Sequence, residues 1–268
     1  SGYKIVSKIE LCSNQYELKI FAPYVVRNAK AGQFIILRSE ENGERIPLTI
    51  ADVDIEKNLL TIVYMATGYT TKKLAQLNEG DNIPDLVGPL GKKTHIEKYG
   101  KVVCLAGGYG AAPCYMIAKA FKEAGNKVYM VMGARNRDLI FWEEKMKDAC
   151  DELFITTDDG SMGEKGFVTN VLDRLMNQEK IDYAIAVGPM PMMRAVANMT
   201  RDKGIKTEVS MNPIMVDGTG MCGACRLTVG GETKFACVDG PDFDAHLVDF
   251  DEVINRTQVY KEQEKKRD

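Results

Sequence analysis

The sequence has little that would serve acid–base catalysis, nucleic-acid binding or membrane insertion. It contains two histidines, His95 and His246, and neither has a catalytic partner in the sequence, so we assign neither a role. The net charge is -3, which leaves no basic field to attract nucleic acid. No apolar run approaches the roughly 20 residues that a membrane-spanning helix needs. We therefore expect neither a nucleic-acid nor a membrane partner.

Cysteine occurs seven times, and this odd, sparse set does not fit a secreted scaffold stapled by disulfides. The strand-like sequence from Lys4 onward is not a signal peptide. Both observations favour a reducing, cytoplasmic compartment. The four scattered cysteines lie in apolar patterns and are expected to be buried small hydrophobes: Cys12, Cys104, Cys114 and Cys150.

Three regions follow one another along the chain. Residues 1–98 contain short runs rich in Ile, Val, Leu and Tyr between turn signals, which predicts a small β-barrel. Its expected strands are Lys4–Cys12, Tyr16–Phe21, Phe34–Arg38 and Leu59–Met65. Residues 208–268 are rich in glycine around the remaining cysteines and are expected to form a small third domain that wraps a cofactor. The charged end, Lys261 to Asp268, is expected to fray.

Residues 99–207 alternate strands with helices, the pattern of a parallel α/β sheet. Pro113 is expected to open the first helix and Gly125 to close it. Further helices are expected over Leu139–Ala149, around Val168 to Leu175, and from Met190 to about Lys203. The predicted strands are Lys101–Ala106, Val128–Met132, Leu153–Thr157, Tyr183–Val187 and Thr207–Ser210.

The most specific motif is Asp217-Gly-Thr-Gly-Met-Cys222-Gly-Ala-Cys225, followed by Cys237. A Cys-x4-Cys-x2-Cys run with a distant fourth cysteine is the plant-type pattern for a [2Fe–2S] cluster. Here Asp217 occupies the first position, and a carboxylate can ligate iron with the same charge as a thiolate. We therefore expect Asp217, Cys222, Cys225 and Cys237 to ligate the cluster.

Two other interpretations of these cysteines remain open. Three cysteines with His246 could bind zinc in a tetrahedral site. Cys222 and Cys225 could also form a thiol redox pair, although the motif does not open a helix after a strand.

A glycine-rich turn lies between the first strand and the first helix of the α/β region. It contains Gly107, Gly108, Gly110, Ala111 and Pro113. Glycine lets a backbone approach a pyrophosphate, and the helix N-terminus supplies N–H groups. The match to G-x-G-x-x-G is imperfect, so a tight strand–helix turn without a ligand is the alternative.

Three further turns should lie at the same carboxyl edge, where ligands of α/β sheets bind. Arg135 follows the second strand, where the dinucleotide fingerprint has an acid, and this could favour NADP. Asp158 and Asp159 follow the third strand. Gly188, Pro189 and Met190 follow the fourth. Each of these is also a common turn when taken alone.

Two stretches of the β region could hold a flavin diphosphate through an arginine and a hydroxyl-bearing helix start. A surface arginine and an N-capping threonine would look the same. The residues concerned are Arg45, Pro47, Leu48 and Thr49, and then Thr67, Gly68, Thr70 and Thr71.

These motifs together resemble the ferredoxin–NADP reductase superfamily over nearly the whole chain. The most specific stretches run from Asn212 to Arg226 and from Phe235 to Pro241. Within the superfamily the chain is similar to dihydroorotate dehydrogenase electron-transfer subunits. It is more similar to the small subunits of NADH-dependent reduced ferredoxin:NADP oxidoreductases, also described as sulfide dehydrogenase β subunits. Asp217 favours the latter, because the dihydroorotate branch normally has a cysteine there.

The resemblance implies an FAD-binding barrel, an NAD(H)-binding α/β domain and a [2Fe–2S] domain. Arg45 to Thr49 would match the R-x-P-x-[ST] flavin motif, Gly68 to Thr71 the pyrophosphate turn, and Gly88 to Gly91 the turn that closes the barrel. Gly188 to Met190 would lie near the nicotinamide. The family implies NAD(H), so Arg135 would serve a pyrophosphate or ribose instead.

The resemblance also implies a heterodimeric partner, a larger NADPH-binding subunit with FAD and [4Fe–4S] clusters. Electrons would be bifurcated between ferredoxin and NAD⁺, and no side-chain acid or base is needed for hydride transfer. The alternatives are an electron-transfer subunit or reductase for sulfide, polysulfide or dihydroorotate, and a zinc-stabilised dinucleotide-binding regulatory protein.

Overall fold

The computed structural model describes residues 2–258, so the predicted charged end at Lys261 to Asp268 lies outside the described residues. Contacts divide the described chain into two compact units. The first, called here the barrel unit, comprises residues 2–93, 212–241 and 249–258. The second, called here the sheet unit, comprises residues 94–211 and 242–248. Most of the cysteine-rich region therefore belongs to the same compact unit as the β region. The division of the chain into three domains remains a prediction.

The N-terminal part of the barrel unit consists of two antiparallel sheets. Their strand orders are β5-β6-β2-β1-β7 and β4-β3-β8. Leu18 faces Ile62 and Ile20 faces Leu60 across β2 and β6, and all four are fully buried. The elements are β1 Tyr3–Cys12, β2 Gln15–Phe21, α1 Pro23–Asn28, β3 Phe34–Arg38, β4 Ile46–Thr49, β5 Asp52–Asp54, β6 Leu59–Met65, α2 Tyr69–Gln76, β7 Asn82–Ile83 and β8 Asp85–Leu90.

The sheet unit has one sheet of seven strands in the order β12-β11-β10-β9-β13-β14-β17. Its first six strands are parallel, as the alternation of strands and helices predicts. The elements are β9 Lys101–Gly107, α3 Ala111–Glu123, β10 Lys127–Ala134, α4 Glu143–Ala149, β11 Glu152–Thr157, β12 Glu164–Lys165, α5 Val168–Gln178, β13 Tyr183–Val187, α6 Met190–Arg201 and β14 Lys206–Ser210.

The C-terminal region contributes to both units. Its elements are β15 Arg226–Val229, β16 Glu232–Phe235, β17 Asp242–Asp244 and α7 Phe250–Gln258. β15 and β16 form a hairpin in the barrel unit, whereas β17 runs antiparallel to β14 at the edge of the large sheet. No helix within residues 2–258 is both long and apolar enough to cross a bilayer.

Two helix predictions need correction. The first helix begins at Ala111, so Pro113 is its third residue; the early N–H groups of a helix have no helical acceptor, so proline fits there too. The predicted helix Leu139–Ala149 begins only at Glu143. Trp142, just before it, has a left-handed backbone (φ 57°), and this separates α4 from the apolar residues that precede it.

A carboxyl group is enclosed at the start of β17. Thr94 Oγ1 donates a 2.6 Å hydrogen bond to Asp242 Oδ2, and the Ser210 hydroxyl bonds the same group. Asp242 Oδ1 is buried with no hydrogen-bond partner among the described residues. Burial raises the pKa of Asp242 to about 6, and the nearby Glu208 acts in the same direction. The folded protein therefore holds this proton more tightly than the unfolded chain does.

We expect Asp242→Asn to gain stability relative to the wild type as the pH rises from about 4 to about 7. The contribution of protonated Asp242 is complete below its unfolded pKa and is lost as the pH passes about 6. The relative change should not exceed about 3 kcal/mol. Thermal unfolding midpoints of FAD-loaded protein across this pH range measure it. Asp244→Asn, an exposed carboxylate of the same strand, is the control; a pH-independent difference for Asp242→Asn would contradict the assignment.

Candidate functional site

The three clustered cysteines lie on the glycine-rich turn between β14 and β15 and on the segment after β16. Cys225 and Cys237 are buried with their Sγ atoms 3.3 Å apart, whereas Cys222 is exposed. Two thiolates bound tetrahedrally to one metal, at about 2.3 Å each, stand about 3.8 Å apart. Cys225 and Cys237 are therefore close enough to share one metal.

Backbone N–H groups surround these sulfurs. Ala224 N lies 3.5 Å from Cys222 Sγ, and Cys237 N lies 3.5 Å from Cys225 Sγ. The N–H groups of Ala224 and Asp217 lower the pKa of the Cys222 thiol. Burial, followed by the contact with Cys225, raises the pKa of Cys237 to about 12. N–H groups directed at sulfur are the arrangement that stabilises cluster thiolates and tunes their potential.

Asp217 is anchored on the same turn. Its Oδ2 accepts hydrogen bonds from Thr219 N at 2.9 Å, Thr219 Oγ1 at 2.6 Å and Met221 N at 3.1 Å. The Thr219 hydroxyl and these N–H groups, with Arg45 nearby, hold the pKa of this carboxyl below its ordinary value. Asp217 lies beside Cys222, because its N–H group lowers the pKa of that thiol while its negative charge raises it.

The turn is seated on the barrel strands through a glycine. Gly218 has φ +79°, and a Cβ there would lie 2.7 Å from Cγ1 of Ile36 on β3. A side chain at this position would push the turn away from the strand. Glycine at this position therefore permits the close approach of the turn to β3.

Within residues 2–258, no three His, Cys, Asp or Glu side chains converge on one point as a single metal ion requires. The four predicted ligands instead form two pairs, Asp217 with Cys222 and Cys225 with Cys237. A binuclear cluster takes two protein ligands on each iron, so the donor set and its pairing fit [2Fe–2S]. His246, the possible zinc ligand, contacts Thr200 Oγ1 at 3.0 Å within the sheet unit.

The predicted flavin-contacting residues of the first stretch lie at and just before β4. Pro47, Leu48 and Thr49 pair with β3, and Arg45 precedes the strand. Arg45 Nε is buried without a hydrogen-bond partner among the described residues. A buried guanidinium N–H group needs an acceptor, and a cofactor rich in phosphate and carbonyl oxygens would supply one. This orphaned donor fits FAD.

The second stretch forms the start of α2. Gly68 is the N-cap; its N–H group donates to Thr71 Oγ1, and this hydroxyl donates back to Gly68 O, both at 3.0 Å. A Cβ on Gly68 would meet nothing closer than 3.9 Å. Thr67 and Gly68 are exposed, whereas Thr70 is buried. The helix start is therefore open to a phosphate, with Thr71 occupied in capping it.

Sequence reasoning missed Tyr64, on β6 just before this turn. Its ring is buried against Tyr16, with centroids 5.8 Å apart, and its hydroxyl, like Arg45 Nε, is buried with no hydrogen-bond partner among the described residues. Burial raises the pKa of Tyr64. The only signal in the sequence was a tyrosine in a strand that otherwise reads as core.

The parallel strands bring the predicted dinucleotide residues to one edge of the sheet. β9 lies between β10 and β13, and Gly107 pairs with Gly133 while Ala106 pairs with Val187. The turns after these strands are therefore neighbours at the carboxyl edge. The residues that meet there are Gly107, Gly108, Gly110, Ala111, Pro113, Arg135, Asp158, Asp159, Gly188, Pro189 and Met190.

The glycines of the first turn have different roles. A Cβ on Gly110 would lie 2.2 Å from Val187 O, and one on Gly107 would lie 2.6 Å from Met192 Sδ. Both glycines therefore let the turn pack against β13 and α6. Gly108 has φ +56° and nothing within 4 Å of its Cβ position. Gly108 is the glycine with open space where a pyrophosphate could approach.

The turns after β10 and β11 are joined. Asp158 N donates to Ala134 O at 3.1 Å, and Asp159 N donates to Arg135 O at 3.3 Å. Asp159 Oδ1 accepts from the Ser161 hydroxyl at 2.6 Å, which lowers the pKa of Asp159. Sequence reasoning missed Ser161, although Asp-x-Ser is a recognisable turn signal. The edge thus presents fixed negative charge beside Arg135.

Comparison with protein families matches two parts of the chain. Residues 104–198 match the oxidoreductase NAD-binding domain. Residues 212–249 match the iron–sulfur cluster binding domain of dihydroorotate dehydrogenase B. A Thermotoga maritima homologue of the dihydroorotate dehydrogenase B electron-transfer subunit is 48% identical, covering 98% of this chain and 93% of its own. The chain belongs to the family of dihydroorotate dehydrogenase B electron-transfer subunits.

Other members and structures agree. The Bacillus pumilus dihydroorotate dehydrogenase B electron-transfer subunit is 34% identical over 91% of this chain and 96% of its own. A solved structure of NADH-dependent reduced ferredoxin–NADP oxidoreductase, described for flavin-based electron bifurcation, has a chain that is 47% identical. It superimposes with a TM-score of 0.95 over 100% of this chain and 96% of that chain.

These findings confirm the predicted ferredoxin–NADP reductase-like fold and the predicted cofactors, FAD, a [2Fe–2S] cluster and NAD(H). The chain is an electron-transfer subunit of an oxidoreductase that works with a larger partner subunit.

Proposed function

We propose that this chain carries electrons between NAD(H) and a larger FAD- and [4Fe–4S]-containing subunit, within an NADH-dependent ferredoxin:NADP oxidoreductase of the cytoplasm. The partner would bind NADPH and exchange electrons with ferredoxin. The observation that carries the proposal is the turn Asp217–Cys225, called here the cluster turn, where Asp217 lies beside Cys222 in place of a fourth cysteine. The 47% identity to the oxidoreductase structure supports the same branch.

Each part of the chain has a role in this path. Asp217, Cys222, Cys225 and Cys237 would ligate the cluster, and the turn's N–H groups would hold its sulfurs. The residues that would hold FAD are Arg45, Pro47, Leu48, Thr49, Thr67, Gly68, Thr70 and Thr71. The residues that would bind NAD(H) are Gly107, Gly108, Gly110, Ala111, Pro113, Arg135, Asp158, Asp159, Gly188, Pro189 and Met190.

A bound flavin supplies the exchange between the two-electron hydride and the single electrons that a cluster takes. The chain itself binds and orients its cofactors and needs no side chain that moves a proton. Arg45 would neutralise phosphate charge, and the open backbone at Gly108 would admit the pyrophosphate. The carboxylates of Asp158 and Asp159 favour a ribose hydroxyl over a 2′-phosphate, which supports NAD(H) despite Arg135.

A second candidate is the electron-transfer subunit of a dihydroorotate dehydrogenase, the activity named for the Bacillus pumilus relative. Assaying the purified complex with dihydroorotate, and with NADPH plus ferredoxin, separates the two. Turnover with dihydroorotate and none with NADPH plus ferredoxin would contradict the first proposal and support the second.

Anaerobic titration of the purified chain with NADH tests the electron path directly. We expect both the flavin and the cluster absorption bands to bleach, with about two irons and two acid-labile sulfides per chain. Flavin is expected to reduce first, because NADH delivers a hydride. A colourless, zinc-containing protein that does not respond to NADH would contradict the proposal.

A further inference from the structure

A cleft of about 440 Å³ lies beside the cluster turn, within the barrel unit. Pro213 and Ile214, which lead into the turn, and Val253 of α7 give it apolar walls. Arg226 and Arg256 add two guanidinium groups to the lining. None of the roles proposed above uses this cleft.

Both arginines also hold the backbone of the cluster turn. Arg226 Nη1 donates to Gly223 O, and Arg256 Nη2 donates to Ala224 O, each at 3.1 Å. Gly223 and Ala224 are the two residues between Cys222 and Cys225. Because the Ala224 N–H group is directed at Cys222 Sγ, a shift of either guanidinium acts on a donor to a ligand sulfur.

The charge of this pair is only partly balanced. Glu252 Oε1 lies 4.0 Å from Arg256, while its Oε2 accepts the N–H group of Thr228 at 2.8 Å. The lining includes no carboxylate among residues 2–258. A guanidinium has five N–H donors, and within residues 2–258 Arg226 and Arg256 each donate one hydrogen bond, to a turn carbonyl. A carboxylate is the complementary group.

The surface beside the cleft is apolar where the cluster ligands reach it. Val216 is 53% exposed and Met221 is 87% exposed, and they adjoin Asp217 and Cys222. Exposed apolar side chains next to arginine match the composition of protein–protein interfaces rather than of small-anion sites. The occupant suited to this surface is thus a protein segment that carries an acidic side chain.

We infer that the larger subunit inserts an acidic side chain, carried on an apolar segment, between Arg226 and Arg256. Its binding shifts the two guanidinium groups and thereby the hydrogen bonds that they donate to Gly223 and Ala224 of the cluster turn. The inference rests on the proposed function, since it requires a redox partner. Docking of the partner therefore changes the hydrogen bonds to the cluster sulfurs, and the spectroscopic signal of the cluster differs between the free chain and the complex.

Variants of the intact complex, purified through an affinity tag on this chain, test the docking. We expect Arg226→Gln and Arg256→Gln each to weaken retention of the larger subunit at least about tenfold, measured as complex dissociation over a salt series. Arg27→Gln, an exposed arginine of α1, is the control and should leave retention unchanged. Flavin and iron contents establish that each variant has folded.

The electron paramagnetic resonance signal of the reduced cluster tests the effect of docking on the cluster. We expect its g values to differ between the free chain and the complex, and this difference to disappear in Arg256→Gln. Identical g values before and after removal of the partner would contradict the inference that docking changes the hydrogen bonding of the cluster. A shift in the free chain on adding inorganic phosphate alone would mean that the cleft takes a free anion, and would overturn the docking.

A photoreactive p-benzoylphenylalanine at Thr257, which lines the cleft, identifies the occupant even where an arginine variant fails to fold. Cross-links to an acidic segment of the larger subunit support the inference, and the same probe at Tyr24, 74% exposed on α1, should give none. Cross-links to a second copy of this chain, or none while the larger subunit is retained, would overturn it. A preparation without any larger subunit would overturn the proposed function itself.

Discussion

Asp217→Ala is expected to lose most of its iron and sulfide while keeping FAD. The substitution removes a proposed ligand and also the acceptor of three hydrogen bonds that shape the turn, from Thr219 N, Thr219 Oγ1 and Met221 N. Arg45, which would hold FAD, is unchanged. Iron, sulfide and flavin analysis of anaerobically purified protein, with the visible spectrum, measures the outcome.

Asp217→Asn separates the two roles of this side chain. An asparagine oxygen can still accept from Thr219 and Met221, but the side chain is neutral and a poor iron ligand. Full iron content in Asp217→Asn would show that Asp217 only shapes the turn. Asp217→Cys restores the four-thiolate pattern and should keep the cluster. Glu232→Ala, an exposed carboxylate paired with Lys234 in the same region, is the matched control.

Gly108→Asn is expected to slow reduction of the flavin by NADH at least about tenfold, without affecting flavin reduction by dithionite. Asparagine tolerates the left-handed backbone that Gly108 adopts (φ +56°), so the fold should survive. Its side chain would extend into the open space where the pyrophosphate is expected. Stopped-flow measurement across NADH concentrations should show the defect in NADH binding rather than in the saturated rate.

Gly110→Ala is the informative comparison, because Gly110 is limited by packing whereas Gly108 faces open space. A Cβ there would lie 2.2 Å from Val187 O, so the variant should lose stability through strain in the packing of the turn against β13. Gly110→Val would therefore fail for a reason unrelated to NADH. A stable Gly108→Asn with wild-type NADH kinetics would refute this turn as the pyrophosphate site.

Much of the fold was predictable because local patterns dominate it. The apolar runs at β2 and β6 predicted strands that the structure contains, and the helical spacing of Val168, Val171, Leu172 and Leu175 predicted a helix whose apolar face is buried. The four scattered cysteines are also buried. The helix start at Ala111 was missed because Pro113 is compatible with either position.

Long-range features were not predictable from one sequence. β17 has three residues, too few for a periodic pattern, and its place in the sheet depends on pairing with β14. The proposed cluster ligands could be listed from their spacing, but their division into two pairs required the backbone of the turn. Arg226 and Arg256 gave no signal, because each looks like an ordinary surface residue of a strand or helix until its carbonyl acceptor is known.

The position of β17 limits how this chain could be divided by evolution or by design. The chain belongs to the barrel unit up to residue 241 and again from residue 249, whereas residues 242–248 between them belong to the sheet unit. Within this segment, β17 pairs with β14 and covers the edge of that strand. A shortened protein that ended at Met211 would keep every predicted dinucleotide-binding residue but would expose β14 as an unpaired edge strand, a template for aggregation. A gene fusion that borrows only the dinucleotide-binding region must therefore bring its own edge strand or another cover for β14.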